Sequence, residues 1–324
     1  MARWLVLVGS RSFGKAAPEH LTRLEEAGCE VIPNQAGRAY RADELLDALR
    51  GVDAIITGTD ELTAGVIRSA DRLKTIAKHG VGLDNVDLEA ANEHGVVVTA
   101  APGAIHDSVA DLTLALLLAL ARDVVGGHLS VESGGWKGST GTELRGKVMG
   151  IVGLGRIGRE VCHRARAFGM SVVARDPFPD EEFAAAHGVE FLSLDDLLRC
   201  ADVISLHAGA AGDGRPLVGA PELESMKPTA FLINTARGRL VDEQALATAL
   251  RGGRLAGAGL DVFEREPPEG SPLLGLENVV FTPHVAGRTK EGLVRMGEIT
   301  LENCLLALRG EEPRNRVPLP GDGG

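Results

Sequence analysis

Aromatic residues are scarce in this chain, 3% of 324 residues, with one tyrosine and two tryptophans. Set beside 42 glycines, that scarcity fits an α/β protein with many tight strand–helix turns better than an all-β sandwich. Cysteine is rare too. Cys29, Cys162, Cys200 and Cys304 are widely spaced and form no CxxC pair, so they read as reduced thiols of a cytosolic protein. Apolar runs are short. The longest, Leu112 to Ala121, is bracketed by Asp111 and Arg122 and cannot span a bilayer. The apolar start, Trp4 to Val8, is too short for a signal peptide and has no cleavage pattern. Positive charge is also in deficit, with a net charge of −11. Sequence-independent nucleic-acid binding draws most of its affinity from a basic surface, so that class is excluded. A few local cations can still hold a small anionic substrate. The expectation is a cytoplasmic protein with no membrane span, no nucleic-acid partner and no assigned metal ligand.

What is present is a long alternation of short apolar runs and helical patterns. The length allows two domains of ordinary size. Strands are expected at Trp4–Val8, Glu30–Ile32, Ala54–Thr57, Thr75–Ala77 and Val96–Thr99, with helices at Pro18–Ala27, Ala42–Leu49 and Asp87–His94. This order implies βαβ units around a parallel sheet. A helix from about Asp107 to Val125 follows, apolar on nearly every face at its centre. It has to be covered all round, by its own chain or by a second subunit. Six further strands are expected, at Val148–Val152, Ser171–Ala174, Val203–Leu206, Phe231–Asn234, Ala256–Leu260 and Val279–Phe281, matching the count of a dinucleotide-binding sheet. An amphipathic helix, about Lys290 to Arg309, closes the series, and the tail from Pro313 reads as loosely ordered.

Gly153, Gly155 and Gly158 have the GxGxxG spacing. Alone that match is weak in so glycine-rich a chain. Here it follows an apolar strand, opens a helix through Arg156 and Ile157, and precedes Asp176 at the end of the next strand. Gly153 permits the tight turn, Gly155 the approach of a pyrophosphate to backbone, and Gly158 the packing of helix on strand. The helix N-terminus suits the diphosphate. Asp176 can accept from both adenine-ribose hydroxyls and would repel a 2′-phosphate, so NAD is expected over NADP. Arg175, just before it, could tolerate that phosphate and cuts the other way.

Three polar residues follow late strands, where ligands bind in open α/β sheets: Arg237, Glu266 and His284. Singly they read as a surface arginine, a loop glutamate and a helix-capping histidine. Together their chemistry is complementary. Histidine can take the proton of a secondary alcohol, a carboxylate behind the ring fixes its tautomer, and arginine can hold a substrate carboxylate with a bidentate fork.

At this point the chain resembles the D-isomer-specific 2-hydroxyacid dehydrogenases, and within them most resembles the 3-phosphoglycerate dehydrogenases. The resemblance rests on His79–Asp87, Ser108–Asp111, Gly141–Lys147, the glycine motif, Asn234–Gly238, Leu260–Phe263 with Glu266–Pro268, and Thr282–His284, in the family's order along nearly the whole chain. It implies an α/β fold of two Rossmann-like domains with doubly wound parallel sheets and an active-site cleft between them. The substrate-binding domain would be discontinuous and flavodoxin-like, residues 1–100 plus 286–324, and the NAD-binding domain residues 101–285. Arg237, Glu266 and His284 would be catalytic. NAD would meet Val81, Arg156, Ile157, Asp176, Ala208, Thr235, Ala236 and Asp261 besides the three glycines. The substrate would meet Lys78, His79, Gly80, Val81, Gly82, Ile105, Arg237 and Arg288, the loop from Lys78 to Gly82 offering backbone N–H groups to its carboxylate. A homodimer through the NAD domains is implied.

The chain departs from the family in several places. Ala208-Gly209-Ala210-Ala211-Gly212 replaces a Thr-Pro-like pair and a later threonine at the nicotinamide pocket, Ile105 stands where asparagine is common, and Arg288 where serine is common. Arg288 either reaches a second anionic group of the substrate or starts the last helix facing solvent. No regulatory extension after that helix, and no serine feedback through one, is expected. The substrate reading is 3-phosphoglycerate or a similar phosphorylated or phosphonate acid. Glyoxylate or hydroxypyruvate reduction is an alternative on the same fold, and an NAD-sensing corepressor-like interaction protein is the alternative from another class.

Overall fold

The computed structural model describes residues 3–209 and 214–319. The chain divides into two compact units, Met1–Ile105 with Arg288–Gly324, and His106–Gly287.

The first unit runs β1 (Trp4–Val8), α1 (Glu19–Glu26), β2 (Cys29–Pro33), α2 (Ala42–Ala48), β3 (Ala54–Thr57), α3 (Ala64–Ser69), β4 (Thr75–Lys78), α4 (Leu88–Glu93) and β5 (Val97–Thr99). All pairings are parallel, in the order β2-β1-β3-β4-β5, the flavodoxin-like arrangement. Strand residues alternate between two apolar layers, as the pleat demands. Leu7, Ile55, Ile76 and Val98 pack on one face. Val6, Val8, Ile56 and Ala77 pack on the other, against Leu301, Cys304 and Leu308 of the helix Lys290–Arg309. A parallel sheet needs both faces covered, and the chain's last helix returns to supply the second cover.

The second unit opens with α5 (His106–Ala121) and α6 (Val124–Glu132). It continues through β6 (Val148–Val152), α7 (Arg156–Ala167), β7 (Ser171–Arg175), α8 (Glu181–His187), β8 (Val189–Phe191), α9 (Leu194–Cys200) and β9 (Val203–Leu206). Then come α10 (Ala220–Ser225), β10 (Phe231–Asn234), α11 (Glu243–Arg251), β11 (Gly257–Leu260) and β12 (Val279–Phe281). Seven parallel strands form the sheet, in the order β12-β11-β10-β9-β6-β7-β8, so the expected six are one short. The extra strand is β8, a three-residue edge strand on β7. So short a segment carries no readable periodicity. Strand order reverses between β6 and β9, and that switch point is where such sheets bind ligands.

The helix expected from Asp107 to Val125 is two helices. α5 stops at Ala121, and Asp123 takes a left-handed backbone conformation (φ 49°) before α6 begins. Leu116 and Leu117 of α5 are buried. A Cβ on Gly259 of β11 would lie 3.0 Å from the Leu116 side chain, so glycine lets the helix lie close on the sheet. Coverage is incomplete. Ala115 is exposed, Leu112, Leu118 and Ala119 are half-buried, and α6 buries no residue at all. Among the described residues no helix is long and apolar enough to cross a membrane.

Candidate active site

The three candidate catalytic residues follow β10, β11 and β12, adjacent strands of the second unit's sheet. Past β10, the buried Asn234 side chain pins the turn that carries Arg237. Its Oδ1 accepts from the Ala236 N–H at 3.0 Å and its Nδ2 donates to the Arg237 carbonyl at 2.9 Å. Gly238 then lies flush on the next loop, where a Cβ would overlap the Phe263–Glu264 peptide. Asn234 was not singled out from sequence, and an asparagine ending a strand gives no signal of what it pins.

His284 and Glu266 meet directly, Nδ1 to Oε2 at 2.7 Å. An ionised carboxylate can only accept, so Nδ1 carries the proton and Nε2 is left for acid–base work. The histidine loop is held from beneath by Asp261, which is fully buried. Its Oδ1 accepts from the Thr282 hydroxyl at 2.6 Å and the Val285 N–H at 2.8 Å, its Oδ2 accepts from the Ala286 N–H at 2.9 Å, and its carbonyl accepts from the His284 N–H at 2.8 Å. His284 itself has φ 52°, a left-handed conformation costing about 1–3 kcal/mol for a non-glycine residue. Hydrogen bonds to a charged acceptor are worth roughly 1.5–3 kcal/mol each, so the Asp261 set is large enough to hold that strain.

The Glu266 hydrogen bond raises the His284 pKa above its ordinary value near 6.5. Burial opposes this, the charges of Glu266 and Asp261 add to it, and Arg237 subtracts. Glu266 moves the opposite way. Burial disfavours its charge, but His284, the Phe263 N–H and Arg237 bring the net shift below the usual 4.5. The histidine's contribution to stability is therefore complete below its unfolded value and lost as pH rises through its folded one. The carboxylate's is complete above its unfolded value and lost as pH falls through its folded one.

The glycine loop forms a cradle at the switch point. Gly153 (φ 96°) faces the His207–Ala208 peptide, where a Cβ would come within 2.7 Å of the His207 carbonyl. A Cβ on Gly158 would overlap the Gly153 carbonyl, while one on Gly155 meets nothing within 4 Å. The first and third glycines thus close the turn and the second borders open space. Exposed Arg156 and half-buried Ile157 start α7, whose first-turn N–H groups have no helical acceptor. Asp176 accepts from the Leu154 N–H at 2.7 Å through Oδ2 and from the Phe178 N–H at 2.9 Å through Oδ1. Each oxygen keeps a lone pair for a ribose hydroxyl. Ala236 borders the Arg237 turn, and the buried Thr235 hydroxyl lies 3.0 Å from that of Thr113. The residues fit a dinucleotide. Of the departures noted after His207, residues 210–212 lie outside the described residues.

The remaining candidates belong to the first unit. Lys78 is buried, its Nζ bonded to the Gly58 carbonyl and to Asn85 Oδ1. The His79 ring is buried, with Nδ1 at 3.1 Å from the hydroxyls of both Ser10 and Ser12. Burial, then the charges of His20 and Lys78, push its pKa down to about 4. Its N–H donates to Thr57. Beyond it Val81 is exposed, with Gly80 and Gly82 half-buried. Ile105 packs against Ala101, Ala104 and Met296. Arg288 is exposed, one residue before the cap of the last helix.

Residues 114–286 match the family model described as D-isomer specific 2-hydroxyacid dehydrogenase, NAD binding domain. NAD is accordingly the dinucleotide of this cradle. The chain is 42% identical over 302 residues to a D-3-phosphoglycerate dehydrogenase of Methanocaldococcus jannaschii, covering 92% of this chain but 57% of that protein. It is also 42% identical over 314 residues to a glyoxylate reductase of Thermococcus litoralis, covering 93% and 94%. Among solved structures, the TT0316 protein of Thermus thermophilus superposes with a TM-score of 0.88 at 44% identity, over 97% of this chain and 100% of that one.

Replacing Glu266 by glutamine removes the negative charge that helps hold the His284 pKa up and leaves only a neutral amide oxygen to accept from the ring. Histidine NMR titration of Glu266→Gln should show His284 titrating at lower pH than in the native protein. An unchanged titration would separate the two residues.

Proposed function

We propose that this chain, which belongs to the D-isomer-specific 2-hydroxyacid dehydrogenases, moves a hydride between NAD and C2 of a small anionic 2-hydroxy acid or its 2-keto partner. The observation that carries the reading is the His284–Glu266 contact, which fixes one imidazole tautomer and leaves Nε2 as the acid–base atom. Bound NAD supplies the hydride acceptor or donor. In oxidation His284 Nε2 takes the hydroxyl proton, and Glu266 balances the imidazolium that results. In the reverse direction Nε2 returns that proton to the carbonyl oxygen. Arg237 holds the substrate carboxylate and polarises the C2 oxygen. Thr235, Ala236, Ala208, Asp261 and Val81 complete the contacts we assign to the cofactor.

For the substrate, we assign the loop Lys78–Gly82 to the carboxylate. The N–H groups beyond His79 would do the binding, and the buried Lys78 and His79 side chains would hold the loop's shape. We assign Arg288 to a second anionic group, which favours 3-phosphoglycerate or a phosphonate analogue. Glyoxylate or hydroxypyruvate reduction is the second reading. It is supported by the glyoxylate reductase match along 94% of that relative's length, against 57% for the phosphoglycerate dehydrogenase. A homodimer is supported by α6, where Val124, Val125, Leu129 and Val131 are exposed, and by Trp136, which is 91% exposed. The four free cysteines support the reducing cytoplasm as its compartment.

An absorbance screen at 340 nm tests the function with 3-phosphoglycerate, glycerate, lactate, glyoxylate and hydroxypyruvate, each with NAD(H) and NADP(H). Turnover with NAD(H) should exceed that with NADP(H). His284→Ala should lower turnover by about two to four orders of magnitude with NAD affinity retained by calorimetry. No turnover with any of these acids would leave the NAD-sensing interaction protein as the better reading. Arg288→Ala should raise KM for 3-phosphoglycerate more than for glycerate, and equal KM changes would assign the residue to solvent. Leu129→Asp should convert the dimer to monomer by light scattering, an outcome excluded if the native chain is already monomeric.

A further inference from the structure

Glu243 opens α11, where an acid is ordinarily explained by the helix dipole. Its side chain is 8% exposed and points away from water. Oε1 accepts from the Glu264 N–H at 2.8 Å, and Oε2 accepts from the Ser271 hydroxyl at 2.5 Å. Those partners stand at the two ends of one loop, residues 264–271, and Glu266 lies within it. The latch is reciprocal, since Glu264 Oε1 accepts from the Glu243 N–H at 3.3 Å. Phe263 and Leu273 bury apolar anchors just outside the loop, but residues 264–267 between them are exposed. Packing therefore cannot fix where the Glu266 carboxylate lies.

We infer that Glu243 is a positioning residue that sets the Glu266–His284 contact by latching both ends of the 264–271 loop. The inference rests on the proposed acid–base role of His284. Glu266 approaches the imidazole from this loop, Asp261 from the end of β11 and Arg237 from the turn after β10, and these are the charged groups that act on it. Asp261 and Arg237 have supports of their own, so loosening the latch should move the Glu266 contribution while theirs persist. Gly238, flush on the Phe263–Glu264 peptide, gives the Arg237 turn and the Glu266 loop a shared surface.

The test compares Glu243→Ala with Glu243→Gln in the full chain. Alanine removes both acceptors. Glutamine keeps an acceptor for Glu264 N–H and a polar contact for Ser271. In Glu243→Ala, His284 should titrate at lower pH by NMR, the acid limb of the oxidation profile should follow, and kcat should fall about tenfold, since small misplacements of a catalytic group are costly. NAD affinity should hold, and Glu243→Gln should restore most of the loss. An unchanged His284 titration and pH profile in Glu243→Ala, whatever its melting temperature, would overturn the latch. If that variant does not fold, Ser271→Ala decides: a smaller shift of the same sign supports the latch, and none overturns it. A native protein with no NAD-dependent turnover would overturn the proposed function instead, while the titration would still report on the latch.

Discussion

A carboxylate taken out of water must be surrounded by donors, and Asp261 meets that demand with the loop that carries His284. The loop supplies one hydroxyl and two backbone N–H groups to its oxygens, and the carboxylate in return fixes the loop. Burying a charge without such partners would cost several kcal/mol, so loop and carboxylate are ordered together. The left-handed backbone of His284 persists because this arrangement over-determines it. From that constraint follow the direction of the imidazole and its meeting with Glu266.

The same device recurs around the site. Asn234 pins the Arg237 turn, Asp261 the His284 loop, Glu243 the Glu266 loop, and Asp176 the glycine turn through Leu154. Each is a side chain at a strand or helix end that bonds loop backbone: the three carboxylates accept from N–H groups of a neighbouring loop, and Asn234 both accepts from and donates to its own turn. Loops at the ends of parallel strands have no ladder partners of their own, so these side chains replace the ladder. The His284–Glu266 pair stays partly exposed, His284 at 49% and Glu266 at 38% of their side chains, while Asp261 and Glu243 behind it are buried.

Much of this was legible in the sequence. Buried parallel strands read as continuous apolar runs, so β1, β3, β6, β9, β10 and β12 fall where the runs are, and the last helix matches its amphipathic pattern. The glycine spacing located the cradle because Gly153 and Gly158 answer local steric needs, while Gly155 borders open space. β8 was missed because three residues cannot show a period. The break at Asp123 is not legible because Val124 and Val125 resume the apolar pattern after only two charged residues, Arg122 and Asp123.

The sequence by itself determined the two kinds of unit, the cofactor class and the residues able to do the chemistry, since these depend on local pattern and on residue type. Tertiary structure decided what those residues do to one another. No spacing shows that Lys78 and His79 turn inward, that Asp261 lies under the histidine, or that Glu243 reaches both ends of the Glu266 loop. Such contacts join strand ends that are adjacent in the sheet but distant in the chain, and sheet order is set by packing both faces, which no single segment encodes.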